Sequence, residues 1–282
     1  MPGDKIRIGV MAPGCRIDQG LAERIKDLAS GLYPDGKVEI HFHPQCFLSS
    51  GHFAGDDASR RQAFLDIAND DSFQALWFAR GGYGACRIAG DLAPQLSNAA
   101  AGKLYLGYSD AGCLLAPLYK AGFTGLAHGP MPSDIKRPGG EAAVGRALAY
   151  LVERDSGALE ASVAADGKTA AFNMAVFSHL IGTPLQPDLT GHVLMLEEVS
   201  EYMYKIDRLL FHITSNPNIR KVSGIMLGRC SDIPPNDPDF VQTEEEIVAH
   251  WCGEAGIPYR GRADIGHDID NKIVPFGSLL SA

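Results

Sequence analysis

Residues 103–122 read KLYLGYSDAGCLLAPLYKAG: a short apolar run, a turn signal in Gly-Tyr-Ser-Asp, and then at once a helical pattern. An apolar run this short, ended by a glycine-containing turn and followed by a helix, is one half of a strand–helix–strand unit with a strand buried on both faces. The same order recurs at 73–86, where FQALWFA leads into RGGYGAC. Upstream, KIRIGVMAP (5–13) reads as a strand, and GLAERIKDLASGLY (20–33) sets Leu21, Ile25 and Leu28 on one helical face. DDASRRQAFLDIAND (56–70) follows an Asp-rich helix start with Phe64 and Ile67 on one face, and GEAAVGRALAYLVERD (140–155) is a further helix. Strands and helices in alternation predict a mostly parallel α/β sheet with helices on both faces.

Residues 156–170, SGALEASVAADGKTA, turn small and polar, which marks a linker between a first domain at 1–155 and a second at 171–282. The second half continues as FNMAVFSHLIG (helix), HVLMLEEV (strand), YKIDRLLFHITS (helix), VSGIMLG (strand) and TEEEIVAHWCGEAG (helix). Two terminal strand candidates follow at 257–266 and 271–280. No internal repeat or low-complexity tract interrupts the series.

With 282 residues, 45% of them hydrophobic, the chain buries one large or two smaller cores without crosslinks or metals. Its six cysteines are scattered with no CxxC pair, which suits reduced thiols. The apolar IRIGVMAP near the start is too short for a membrane span and lacks a secretory cleavage site, so the expected location is the cytoplasm and no membrane partner is expected. A net charge of −9 without any basic run argues against nucleic acid.

A serine between a buried strand and a helix has its hydroxyl held at the sheet edge, close to backbone N–H groups and a helix N-terminus. Ser109 therefore has the setting of a nucleophile elbow, although Ala111 stands where G-x-S-x-G requires its second glycine. The simpler reading is that Ser109 or Asp110 caps the helix. The glycines of the other joint, Gly81, Gly82 and Gly84, allow close backbone approach across the same crevice and an oxyanion-hole N–H. Their spacing fits neither a dinucleotide nor a P-loop fingerprint. Among nine histidines, His41, His43 and His52 crowd one segment with Cys46 but complete no familiar metal set. His128 and His179 read as satisfied structural histidines. His267 lies in a loop, GHDIDN, where reactive groups concentrate. Glu197 and Glu198 end an apolar strand and need partners, because desolvating a lone carboxylate is expensive.

Six blocks in order, RGGYGACRIAGDL, LGYSDAGCLLAPLYKAG, AHGPM, LIGTP, LMLEEVSEYMYKIDRLL and GHDIDNKIVPFG, give the chain a resemblance to the LD-carboxypeptidase family, serine peptidases that trim the terminal D-alanine from murein tetrapeptides. The resemblance implies a flavodoxin-like parallel sheet followed by a smaller β-rich α/β domain, with the cleft between them. It implies Ser109 as nucleophile, His267 as general base and Glu197 as the residue orienting the histidine. It also implies an oxyanion hole from the N–H of Asp110 and of Gly81 or Gly82, a homodimer, and no metal or organic cofactor. The family often has Asp at the position of Glu198 and Thr-Ala at that of Ala111-Gly112, departures that spare the triad. It also includes hydrolases of peptide-nucleotide antibiotics that confer self-immunity. An α/β-hydrolase esterase and a ligand-binding module without turnover are the remaining alternatives.

Overall fold

The computed structural model describes residues 5–90, 92–163 and 167–279. Six strands form the first sheet: β1 (Ile6–Met11), β2 (Val38–Phe42), β3 (Ala75–Phe78), β4 (Leu104–Leu106), β5 (Leu126–His128) and, from the far end of the chain, β10 (Val274–Pro275). Their order is β10-β5-β4-β3-β1-β2. The first five are parallel in the flavodoxin order 2-1-3-4-5, and β10 is antiparallel to β5, with Val274 opposite His128. The second sheet holds β6 (Lys168–Asn173), β7 (His192–Val199), β8 (Gly224–Ser231) and β9 (Tyr259–Arg262), all parallel. The α/β class with parallel sheets is as the sequence indicated.

Helix starts follow from local chemistry. Asp18 accepts from the Leu21 N–H at the head of α1 (Gln19–Leu32), and Asp56 from the Ser59 N–H at the head of α2 (Asp57–Ala68). The remaining helices are α3 (Cys86–Ala89), α4 (Asn98–Ala101), α5 (Gly112–Lys120), α6 (Gly140–Glu153), α7 (Met174–Leu180), α8 (Met203–Ser215) and α9 (Glu244–Ala255). The helix expected from Phe172 begins two residues later. Phe172 and Asn173 complete β6, and the Asn173 side chain caps α7 by accepting from Val176.

The first sheet is a middle layer. Leu76 and Phe78 of β3 pack with Phe64 and Ile67 of α2 on one face, while Ala75 and Trp77 join Leu21 and Ile25 of α1 and Leu148 of α6 on the other. The first of these clusters runs on without a break into Leu194 and Leu196 of β7, Ile206 and Leu210 of α8, and Val248 of α9. One apolar core thus joins the two sheets, and β10, from the sequence range expected for the second unit, docks on the edge of the first. Among the described residues no helix is long and apolar enough to cross a membrane.

Helix α2 lies so close to β1 that a Cβ at Gly9 would meet Ile67 Cγ2 at 2.3 Å. Gly9→Ala should therefore cost about 1–3 kcal/mol of stability through overpacking. The cost should shrink in an Ile67→Ala background, a coupling that thermal unfolding of the four-member cycle would measure.

Candidate active site

The joint after β4 places Ser109 where two constraints meet. Its φ of 59° lies in the left-handed region, a conformation that costs a non-glycine residue about 1–3 kcal/mol. A single 3-10 turn, Ser109–Ala111, then feeds α5. Neither side chain caps the helix, so the capping alternative does not hold. Asp110 instead turns back, and its Oδ2 accepts from the Ala85 N–H at 2.7 Å, tying the serine turn to the glycine-rich joint after β3. Burial raises the Asp110 pKa to about 7.

That joint carries Gly81, where an added Cβ would stand 2.8 Å from Ser109 Oγ and 2.9 Å from its Cβ. No larger residue fits there without moving the serine. Gly82, with φ of +97°, lies against Cys15 instead. The guanidinium of Arg60, fully buried, donates to the carbonyls of Pro13 and of Gly84 and so fastens the joint from behind.

Glu197 and Glu198 occupy opposite faces of β7. Glu198 is anchored by three donors: Asn173 Nδ2 at 2.7 Å, Ala175 N–H at 2.8 Å and Val199 N–H at 2.9 Å. Glu197, 0% exposed, turns the other way. Gly228 of β8 gives it room, since a Cβ there would meet the Glu197 Cβ at 2.8 Å. Its Oε2 lies 2.5 Å from His267 Nδ1, and its Oε1 has no partner among the described residues. Among the described residues the imidazole is the sole hydrogen-bond partner of this buried carboxyl group.

The loop that presents His267 is pinned on several sides. Gly266 N–H donates to the buried Asn271 Oδ1 at 3.1 Å, Arg146 donates to the carbonyls of Ile269 and Asn271, and Arg229 pairs with Asp268. The Tyr108 ring lies 4.8 Å from the His267 ring, and its hydroxyl donates to Asp134 Oδ1 at 2.8 Å. Burial works against the His267 imidazolium, but the bonded Glu197 carboxylate, with Glu198 and Asp134 behind it, outweighs burial and holds the pKa above its ordinary value.

Ser109 and His267 line one cavity of about 310 Å³, together with Gly81, Gly82, Tyr108 and Arg80. It opens beyond the C-terminal ends of the parallel strands, the usual ligand position in such sheets. The structure thus gathers Ser109, Asp110, Gly81, Gly82, His267 and Glu197 around a single centre. It disperses the histidine-rich segment: His43 faces Asp66, His52 faces Cys15, and Cys46 donates to Val10 O. His179 is exposed on α7. His128 is buried as expected but not satisfied. Neither ring nitrogen has a partner among the described residues, and burial, with His267 nearby, lowers its pKa to about 3. The sequence reading missed Tyr108, Asp134 and Arg80, although Tyr108 and Arg80 adjoin the two glycine-containing joints it had singled out.

A two-sheet α/β protein with a strained strand-to-helix serine beside a buried acid–histidine pair matches a known class. Models of the LD-carboxypeptidase N-terminal and C-terminal domains match residues 8–129 and 166–281. A Synechocystis sp. protein with a provisional carboxypeptidase name is 32% identical, over 98% of this chain and 90% of its own. The murein tetrapeptide carboxypeptidase of Pseudomonas aeruginosa is 25% identical, over 85% of this chain and 82% of its own. Among solved structures, muramoyltetrapeptide carboxypeptidase from Oxalobacter formigenes superimposes with a TM-score of 0.79 at 24% identity, covering 95% of this chain and 93% of that one. The microcin C7 self-immunity protein MccF does so with 0.77 at 17% identity, covering 98% and 92%. This chain belongs to the LD-carboxypeptidase family.

The two glutamates should separate by experiment. In NMR titration His267 should ionise above the usual 6.5 or so, and Glu197→Gln should bring that midpoint down, because burial is then left acting nearly alone. An unmoved midpoint would show that Glu197 does not stabilise the cation. Glu198→Gln sets an amide N–H₂ against one of three donors and should cost about 1–3 kcal/mol, read as a fall of several degrees in Tm.

Proposed function

We propose that the protein is a serine carboxypeptidase that hydrolyses the bond between an L-centre and a terminal D-alanine of a murein tetrapeptide. The observation that supports this most directly is the 2.5 Å Glu197–His267 bond, made by a histidine that lines the same cavity as the strained Ser109. With Nδ1 committed to Glu197, Nε2 is the nitrogen free to move a proton. In this reading Ser109 Oγ gives its proton to His267 and attacks the scissile carbonyl. The resulting oxyanion is held by the N–H of Asp110 and that of Gly81 or Gly82. His267 then returns the proton to the departing amine, D-alanine leaves, and a serine ester remains. Water, deprotonated by the same imidazole, attacks the ester and frees the tripeptide. Glu197 keeps the ring in its working tautomer and stabilises the imidazolium. A substrate of cell-wall turnover fits a cytoplasmic enzyme, and a homodimer is part of the same proposal.

The MccF likeness makes a peptide-nucleotide amide the second substrate class to assay, with short-chain esters as a third. Incubation with murein tripeptide, tetrapeptide and pentapeptide, followed by mass spectrometry, should show loss of one alanine from the tetrapeptide alone. The all-L tetrapeptide should be a poor substrate, because a site built on one hand sets the other hand's carbonyl away from the nucleophile. Faster turnover of the nucleotide amide, or equal cleavage of L- and D-alanine, would replace the proposal. Ser109→Ala should fold normally and lose several orders of magnitude in kcat, and Glu197→Gln should lose about 10²- to 10⁴-fold.

A further inference from the structure

Three cations line the cavity that Ser109 and His267 share: Arg80, Lys136 and Arg137. Two are already committed. Lys136 Nζ lies 2.7 Å from Asp18 Oδ2, and Arg137 Nε lies 3.3 Å from Asp134 Oδ1. Arg80 differs. Among the described residues its guanidinium meets no carboxylate and only two carbonyls at long range, Gly81 O at 3.3 Å from Nε and Arg16 O at 3.4 Å from Nη1. The one acid on the cavity wall among the described residues, Asp134, is occupied by Tyr108, by the Met131 N–H and by Arg137. The cavity therefore presents one uncompensated guanidinium beside the nucleophile.

Its position is fixed by the backbone. Arg80 immediately precedes Gly81, the residue packed on Ser109 Oγ, so its Cα is about 3.8 Å from the Gly81 Cα. In a peptide cleaved at its last bond, the terminal carboxylate lies three covalent bonds from the scissile carbonyl carbon, under about 4 Å away. A side chain rooted one residue from the serine contact and free to swing in the same cavity is on the scale needed to meet it. A guanidinium takes a carboxylate through two parallel N–H···O bonds, with direction as well as charge.

Resting on the carboxypeptidase reading above, we infer that Arg80 is the specificity-determining residue that binds the α-carboxylate of the departing D-residue. It restricts the enzyme to the last peptide bond. The long carbonyl contacts of the free side chain are exchanged for a charged pair on binding. Lys136 and Arg137, held by their own acids, shape the wall and do not substitute for it.

The test compares murein tetrapeptide with the same peptide carrying a terminal carboxamide. The wild-type protein should prefer the free acid by on the order of 10- to 10⁴-fold in kcat/KM, the range expected for one or two charge-assisted hydrogen bonds. Arg80→Gln should lose that factor on the acid and turn over acid and amide alike, with Arg80→Lys between. An Arg80→Gln enzyme that keeps the preference, or an Arg137→Gln enzyme that loses it, would overturn the assignment. A binding arm separates this from the wider reading: calorimetry of both peptides on Ser109→Ala with and without Arg80→Gln. If neither peptide is turned over by the wild type, the carboxypeptidase proposal fails. Even then, acid-selective binding abolished by Arg80→Gln sustains the carboxylate site, and equal binding of acid and amide refutes it.

Discussion

The architecture turns on one buried charge. Glu197 is fully enclosed, and a carboxylate taken out of water costs several kcal/mol unless it is paired with good geometry. Its partner comes from a loop 70 residues further along the chain. The pair can form only if that loop is delivered to the C-terminal edge of β7. β10 supplies the delivery by docking antiparallel on β5, with Thr169 and Gly277 exchanging backbone bonds between the two sheets. Arg146, Asn271 and the Arg229–Asp268 pair then remove the loop's remaining freedom. A carboxylate with one partner polarises that partner more than one shared among three, and here the contrast is built into adjacent residues. Glu198, saturated by Asn173, Ala175 and Val199, stiffens the strand end, while Glu197 puts its one hydrogen bond on the imidazole.

The second constraint is strain at Ser109, and the surroundings over-determine it. A left-handed serine persists because β4 before it and α5 after it are both fixed in the core, and because Asp110 is bonded to the neighbouring glycine joint. Arg60 holds that joint through the Gly84 carbonyl and ties it to the Pro13 carbonyl beyond β1, at the expense of burying a guanidinium stacked over Phe53. In the proposed reaction, backbone dipoles held in this way would need no rearrangement when charge develops.

Much of this was readable from the chain. Strand–glycine–helix order fixed the parallel sheet, because apolar runs as short as LYL and ALWF have only a two-sided burial available to them. Side chains alternate along a strand, which puts Glu197 and Glu198 on opposite faces, and the same alternation sends Leu194 and Leu196 into the large core and Met195 into the small one with Ile265. What local pattern did not reveal depends on long-range contact. The strand expected within 271–280 is present as Val274–Pro275, but its partner β5 lies nearly 150 positions earlier, and no local pattern names that pairing. Asp110 looked like a cap because Asp favours caps, but the Ala85 N–H, brought close by the crossing of two joints, competes for it. The unsatisfied His128 has the same origin: the Tyr108 ring covers it edge-on at 5.5 Å, and among the described residues its ring nitrogens have no hydrogen-bond partner.

Charge completes the picture at a different length scale. The chain as a whole carries −9, a field that opposes an anionic peptide. At physiological ionic strength, however, exposed charges are screened beyond about 8 Å, so acids on distant faces contribute little at the cavity. There the balance is reversed: Arg80, Lys136 and Arg137 line a wall on which Asp134 is the only carboxylate among the described residues, and burial pushes the Asp134 pKa up even as its donors pull against it. Under the proposed function, a peptide ending in a free carboxylate gains its attraction only at contact, where geometry as well as sign can be read. Selection at that range favours a planar, fixed-charge guanidinium over any general excess of positive charge, and it leaves the rest of the surface free to stay acidic.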